Sequence, residues 1–211
     1  MTTGKSSSFV FVVDDDAAIR SSLQFLIGTV GLQVETFEST ESFLRRDLPD
    51  GASCLILDVR LHGRSGLDFQ HELAARGIHI PIIFITGHGD IPMSVRAMKG
   101  GAIEFLTKPF RDQDLLDAIS VAMEKDRARR EQERDVKETQ GRFDSLSPRE
   151  QEVVSLVVSG MLNKQIADAL GTAENTVKVH RSRAMEKMQA QSLADLVRMI
   201  EKLKDRAGKA L

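Results

Sequence analysis

The 211-residue chain has one cysteine, no tryptophan and no tyrosine. Cys54 alone cannot close an intramolecular disulfide, which excludes the cross-linked scaffolds of small secreted proteins and fits a reducing cytoplasm. Its setting, Cys54-Leu55-Ile56-Leu57, makes it a small core residue rather than a nucleophile. No uncharged apolar run approaches the roughly 20 residues that cross a bilayer, and no N-terminal segment joins basic residues to a long apolar stretch. A soluble, cytoplasmic protein without membrane contact is therefore expected. Net charge is also nearly missing, at −2, but that total hides an asymmetry. Residues 1–120 hold 11 Lys and Arg against 16 Asp and Glu, a balance of −5, whereas residues 144–211 hold 11 against 9, a balance of +2. Only the C-terminal part is a candidate for contact with a phosphate backbone. At roughly 100–200 residues per domain, two domains with separate cores are expected.

The first 110 residues alternate strand and helix signals. Phe9–Val13 is a continuous apolar run, after which Ile19, Leu23, Leu26, Ile27 and Val30 recur at helical spacing until Gly31. Gln33–Phe37, Cys54–Asp58, Pro81–Thr86 and Ile103–Thr107 read as further strands. Helices are expected near Ser39–Arg46, over Gly66–Arg76, from Pro92 to Gly100-Gly101, and from Asp112 onward. Five such alternations predict a parallel sheet covered on both faces, a doubly wound α/β domain. From Lys125 to Glu138 nearly every residue is charged, with favourable pairs such as Glu133 with Lys137. Ala128 and Val136 are too few for a coiled coil, so a helical spacer ending at Gly141 is predicted.

Four compact helices follow. Ser147-Pro148-Arg149-Glu150 combines an N-cap serine, a proline at the first helical position and a glutamate at the third, which is a capping box. Asn163 is the expected cap of the next helix, whose Ile166, Ala167 and Leu170 share a face before Gly171. Val177, Arg181, Ala184 and Met188 form one stripe of a third helix, with Lys178, Arg183 and Lys187 around its exposed side. Ser192 and Asp195 open a fourth.

Four of the strand-like runs close on chemistry: Asp14-Asp15-Asp16, Asp58, Thr86 and Lys108-Pro109. In open α/β sheets the carboxyl ends of parallel strands form the ligand crevice, which would gather carboxylates, a hydroxyl and an ammonium in one place. Like charges so placed repel, and a divalent cation removes that cost. Such a hard-oxygen set suits Mg²⁺ and a phosphoryl group. Asp16 is read instead as the cap of the helix at Ala17.

With these residues and spacings, about residues 8–123 resemble the receiver domain of two-component response regulators. The resemblance implies a flavodoxin-like sheet of order 2-1-3-4-5. It makes Asp58 the phosphoacceptor and assigns Mg²⁺ to Asp14, Asp15, Asp58 and the backbone carbonyl of Arg60. It makes Lys108 and Thr86 catalytic, Thr86 and Phe105 the switch pair, and the Lys108–Pro109 peptide cis. His62 stands where the family usually has proline, which is expected to loosen that loop. The stretch Thr86-Gly87-His88-Gly89-Asp90 is similar to a FixJ-like subgroup, and Arg60 and His88 occupy positions that tune dephosphorylation in receivers.

Leu146 through Ile200 is similar to the LuxR-type helix-turn-helix, carried by Asn163-Lys164-Gln165-Ile166-Ala167 and Thr176-Val177-Lys178-Val179-His180. The combination resembles the NarL/FixJ family. It implies base reading by Lys178, Val179 and Ser182, and phosphate contacts by Asn163, Lys164, Thr176, His180, Arg183 and Lys187. Where the family often has a serine cap before Glu174, Thr172-Ala173 stands here, so the cap is expected at Thr172. The expected organisation is a receiver (1–123), a charged helical linker (124–143) and a small all-α four-helix output domain (144–211). The expected function is a transcription regulator that is not an enzyme, although the receiver catalyses its own phosphorylation and dephosphorylation. Its implied partners are a sensor histidine kinase, promoter DNA, RNA polymerase and, when phosphorylated, a second copy. Two rivals remain at this point: a phosphotransfer intermediate whose tail binds protein, and an aspartyl-phosphate phosphatase. The second normally needs an aspartate two residues after the nucleophile, where Arg60 stands.

Overall fold

The protein was analysed as a computed structural model, which describes residues 8–209. The chain forms two compact units, Met1–Arg130 and Glu131–Leu211. In the first, β1 (Phe9–Val13), α1 (Ala17–Thr29), β2 (Gln33–Phe37), α2 (Thr40–Leu44) and β3 (Ser53–Asp58) follow one another. A two-residue antiparallel pair comes next, β4 (Arg60–Leu61) with β5 (Arg64–Ser65), then α3 (Gly66–Ala75), β6 (Ile82–Thr86), α4 (Ile91–Lys99), β7 (Glu104–Thr107) and α5 (Asp112–Asp144). The main sheet is parallel throughout, in the order β2-β1-β3-β6-β7. Counting its own strands alone, that is 2-1-3-4-5.

The three inner strands, β1, β3 and β6, are near-continuous apolar runs because both faces are covered, whereas the edge strands β2 and β7 carry exposed polar residues. All six residues of β3 are buried. On one face Val10, Val12, Ile56, Ile83 and Ile85 pack with Leu23 and Ile27 of α1 and Leu115 and Ile119 of α5. On the other, Phe11, Leu55, Leu57 and Phe84 pack with Phe43 and Phe69 of α2 and α3. Phe43 meets Phe11, Phe37 and Phe69 edge-on, with centroids 5.5 to 6.1 Å apart, a favoured aromatic geometry.

Local chemistry sets the strand ends. Asp16 caps α1, accepting the Ala18 N–H at 2.8 Å, as expected. Asp90 caps α4 by accepting the Met93 N–H at 2.7 Å. At the opposite end of β3, the Asp126 carboxylate of α5 is fully buried. It accepts the Ser53 N–H at 2.9 Å, Arg130 Nε at 2.6 Å and Arg129 Nη2 at 2.6 Å. Burying a lone charge costs several kcal/mol, which these donors offset. This cluster carries the first unit as far as Arg130. α5 runs on through Gly141 to Asp144 rather than stopping at the glycine, because a single helical glycine costs only about 1 kcal/mol.

The second unit contains α6 (Pro148–Val158), α7 (Asn163–Leu170), α8 (Glu174–Met188) and α9 (Leu193–Lys209) around Val153, Val157, Ile166, Val177, Ala184, Met188, Leu196 and Ile200. The Ser147–Glu150 capping box is present. Two details differ from the sequence reading. Asn163 is the first helical residue of α7 rather than its cap; the boundary residue is Leu162, whose N–H is taken by the Gln165 side chain at 2.8 Å. At α8 the boundary residue is Ala173, with no side-chain cap, so Thr172 does not take that role. α8 ends on Gln189 at φ 55°, a left-handed position usually given to glycine or asparagine.

Gly66 packs its Cα beneath the end of β3: a Cβ there would overlap the Asp58 carbonyl oxygen and come within 3.2 Å of Val59 Cα. Both neighbours are backbone, so neither can swing aside. Gly66→Ala is expected to destabilise the first unit by about 1–3 kcal/mol, read as a lower urea midpoint, while Gly28→Ala, in open space on α1, leaves the midpoint unchanged or raises it.

Candidate functional site

Four strand ends deliver the crevice. Asp14 follows β1 and is fully buried; its Oδ1 accepts the Asp16 N–H at 2.9 Å and its Oδ2 takes Lys108 Nζ at 2.8 Å. The same ammonium reaches Asp58 Oδ2 at 3.1 Å. Asp58 Oδ1 accepts the Arg60 N–H at 3.0 Å, which turns the chain out of β3. Oxygens of Asp14, Asp15 and Asp58 lie within 4.8 Å of one another. These residues, with Thr86, His88 and Lys108, border a cavity of about 270 Å³.

Electrostatics follow from this crowding. Burial pushes the Asp14 carboxyl above the ordinary carboxylate range, despite the lowering effect of the Lys108 hydrogen bond. Burial alone would pull the Lys108 ammonium down, but its bonds to Asp14 and Asp58 outweigh that and hold it above its usual value. Lys108 is thereby kept charged between two carboxylates. Its backbone N–H donates to the Thr86 carbonyl at 2.7 Å, and the Lys108–Pro109 peptide is cis.

Thr86 ends β6 fully buried, its Oγ1 accepting the His88 N–H at 3.3 Å. Phe105 on β7 is half-buried, its ring centroid 6.3 Å from that of Phe84. Gly89 joins the two, a residue the motif reading passed over. A Cβ there would stand 2.9 Å from Phe105 Cε1 and 3.1 Å from Thr86 Cγ2. Its signal in the sequence was only the Gly-His-Gly spacing. The loop after Asp58 is closed by the β4–β5 pair, with Gly63 at φ 76° in the turn. Exposed His62 contacts Asp15 through Nδ1, a partner its place in the sequence did not reveal.

In the second unit Lys178, Ser182 and Arg183 are exposed along α8, and Val179 is 42 % exposed, an unusual setting for valine. Thr176 and Lys164 are exposed as well. Lys178 pairs with Glu174 at 3.0 Å on the same helix, a weak exposed contact that a nucleic acid can displace. Half-buried Asn163 accepts Arg181 Nη1 at 3.0 Å, so the two residues tie α7 to α8. His180 is half-buried, and its Nδ1 has no hydrogen-bond partner. Lys187 gives its ammonium to buried Glu150 at 2.6 Å, bracing α6 against α8, while its side chain stays 42 % exposed.

Residues 10–120 match the response regulator receiver domain, and residues 144–200 match the bacterial regulatory proteins of the luxR family. The chain belongs to the NarL/FixJ family of response regulators. This response regulator is 58 % identical over 202 residues to Nodulation protein W of Bradyrhizobium diazoefficiens, covering 96 % of this chain and 89 % of that one. It is 44 % identical over 190 residues to the transcriptional regulatory protein FixJ of Azorhizobium caulinodans, covering 90 % of each. Among solved structures, the response regulator StyR superposes with a TM-score of 0.83 at 49 % identity, over 93 % of this chain and 99 % of that one. The regulator thus joins a receiver to a LuxR-type DNA-binding domain, and the relatives are transcriptional regulators.

The Glu150 brace has a pH signature. Its bonds to Lys187 and to the Ser147 N–H hold the carboxyl down at about 2, against 4.5 for a free glutamate. The stability it supplies is therefore complete above pH 4.5 and is lost as pH falls through the range toward 2. Glu150→Gln is expected to flatten this part of the acid limb for the second unit in pH-stepped thermal melts, with little added loss from acid below pH 4.5.

Proposed function

We propose that Asp58 accepts a phosphoryl group from a histidine of a sensor kinase, and that the Lys108 ammonium bridging Asp14 and Asp58 carries this reading. A carboxylate oxygen of Asp58 attacks phosphorus in line; the new P–O bond forms as the P–N bond breaks, and the imidazole nitrogen keeps the electron pair. Lys108 neutralises charge growing on the phosphoryl oxygens. The donor set fits Mg²⁺, because three carboxylates share one ammonium and leave negative charge uncompensated. Asp14, Asp15, Asp58 and the Arg60 carbonyl would hold it, and when bound it supplies further charge neutralisation at the phosphoryl group. Asp58 is the reachable member of the central pair, since Asp14 has no exposed surface.

The product adds nearly two negative charges at the end of β3. The Thr86 hydroxyl turns toward a phosphoryl oxygen, leaving space into which Phe105 swings, and the surface made by α4, β7 and α5 changes shape. Receivers then pair through that surface. Because α5 is helical through residues 124–143, pairing there sets the spacing of two output domains, which favours dimerisation over relief of inhibition as the main coupling. The proposed division is a receiver at 1–123, a linker at 124–143 and an output domain at 144–211; residues 1–7 and 210–211 lie outside the described residues. Arg60 and His88 tune the receiver's own dephosphorylation, promoter-bound dimers engage RNA polymerase, and the protein works in the cytoplasm.

On DNA, α8 enters the major groove. Lys178 donates to guanine and the exposed Val179 packs on a thymine methyl, with Ser182 beside them. Lys164, Thr176, Asn163, His180 and Arg183 face phosphates, and Lys187 acts at one remove through Glu150.

Two measurements test the reading. A small phosphodonor with Mg²⁺ is expected to label one acid-stable, base-labile position that Asp58→Asn loses; labelling of that variant at the wild-type level would sink the assignment. In binding assays across salt concentrations, Lys178→Ala should relax discrimination at one base pair by about 1–3 kcal/mol, while Arg183→Ala should weaken all sequences alike and reduce the salt slope by about one. Identical behaviour of the two variants contradicts the groove orientation.

A further inference from the structure

Beside the phosphoacceptor crevice lies a second concavity, about 430 Å³ in volume, between the β4–β5 loop and α4. Its apolar lining comes from Val59, Leu61, Leu67 and Met93, and three arginines also line it, Arg60, Arg64 and Arg96. No carboxylate lines it. Arg64 is already satisfied: it pairs with Glu72 and stands 5.5 Å over the Phe69 ring, which fixes it as a wall. Arg60 and Arg96 are exposed, and among the described residues neither side chain takes part in an ion pair or a hydrogen bond.

Elsewhere in this unit arginines at comparable positions are paired: Arg20 with the Asp14 carbonyl, Arg46 with Glu35, Arg76 with Glu72 and Arg111 with Asp114. Two unpaired guanidinium groups facing one concavity, over an apolar floor and with no acid among them, form the reverse of an anion. The volume falls within the roughly 300–1,000 Å³ of small-molecule sites, and such sites are mostly apolar with a few placed polar groups. Guanidinium forks select planar or tetrahedral oxyanions by bidentate bonding.

We propose that this concavity is a binding site for a small amphiphilic oxyanion, a carboxylate or phosphate monoester carried on a compact apolar body of about one ring. The head group sits between Arg60 and Arg96, and the body lies on Leu61, Leu67 and Met93. Arg60 also borders the crevice that holds Asp58, so an anion here sits on a side chain shared with the phosphoacceptor site. The occupied site would also bridge the loop after β3 and α4, both of which line it.

The test uses the full chain labelled with ¹⁵N and four probes: benzoate, phenyl phosphate, inorganic phosphate and benzyl alcohol. Saturable shifts are expected at the amides of Leu61, Leu67, Met93 and Arg96 with benzoate or phenyl phosphate, the tighter of the two identifying the head group. Inorganic phosphate and benzyl alcohol, which carry only one half of the ligand each, should bind at least about tenfold more weakly. Arg96→Gln should weaken the better probe by about tenfold, the loss of one charge-assisted contact, and Met93→Gln should weaken it without changing the response to inorganic phosphate. Phe25→Ser, at an exposed position on α1, should have no effect. The proposal is overturned if no probe saturates at these amides. It is equally overturned if binding survives Arg96→Gln but is lost in Lys108→Ala, which would place the anion in the phosphoacceptor crevice, or if inorganic phosphate binds as well as the amphiphilic probes.

Discussion

Three carboxylates and one ammonium in a crevice at the ends of parallel strands form the constraint on which the first unit depends. Asp14, just past the end of β1, and Asp58, the last residue of β3, stand at the ends of adjacent paired strands, which brings their oxygens together. Alone they would repel; Lys108, delivered from the end of β7, binds both. The surrounding fold serves this placement. The apolar inner strands bury the sheet on both faces, Gly66 lets α3 pass beneath the Asp58 carbonyl, and Gly89 leaves room for Thr86 and Phe105 to meet. A single ammonium leaves the crevice short of positive charge, a shortage that a divalent cation would answer.

The second unit rests on a different ionic brace. Glu150 closes the capping box of α6 and also holds Lys187 near the end of α8, so one buried carboxylate fixes both the start of the first helix and the tilt of the helix that carries Lys178 and Val179. Arg181 and Asn163 do the same between α7 and α8. Exposed Lys178, Ser182 and Arg183 therefore project from a helix tied at its middle, through Arg181, and near its C-terminal end, through Lys187. Along α8, burial of the partner separates a charge that braces the helix, Lys187 on Glu150, from charges that stay exposed, such as Lys178 and Arg183.

Much of this was legible in the sequence because strand ends and caps are written in local chemistry. The runs before Asp14, Asp58 and Thr86 are continuous and apolar, and Asp16, Ser147 with Glu150, and Gly171 mark boundaries by side-chain or backbone preference alone. What was not legible depends on distant residues or on very short elements. The β4–β5 pair has two residues per strand, too few to show a period. Asn163 has the composition of a cap, but its side chain is taken by Arg181, 18 positions on, and the Gln165 side chain serves Leu162 instead. Lys187 reads as one more exposed base on α8, and its contact with Glu150, 37 positions earlier, has no local signal. The contact of His62 with Asp15 is of the same kind, since no local pattern pairs a loop histidine with a strand-end carboxylate.

The central claim is that the crevice carries an uncompensated negative charge shaped for a divalent cation beside Asp58. Calorimetric titration of the full chain with Mg²⁺ tests it directly, using wild type, Asp15→Asn and Lys108→Met. Saturable one-site binding is expected in wild type, weakened about tenfold or more in Asp15→Asn as a ligand is lost, and retained or strengthened in Lys108→Met because a competing cation has gone. Equal Mg²⁺ affinity in wild type and Asp15→Asn, or loss of binding on removal of the Lys108 ammonium, would contradict it.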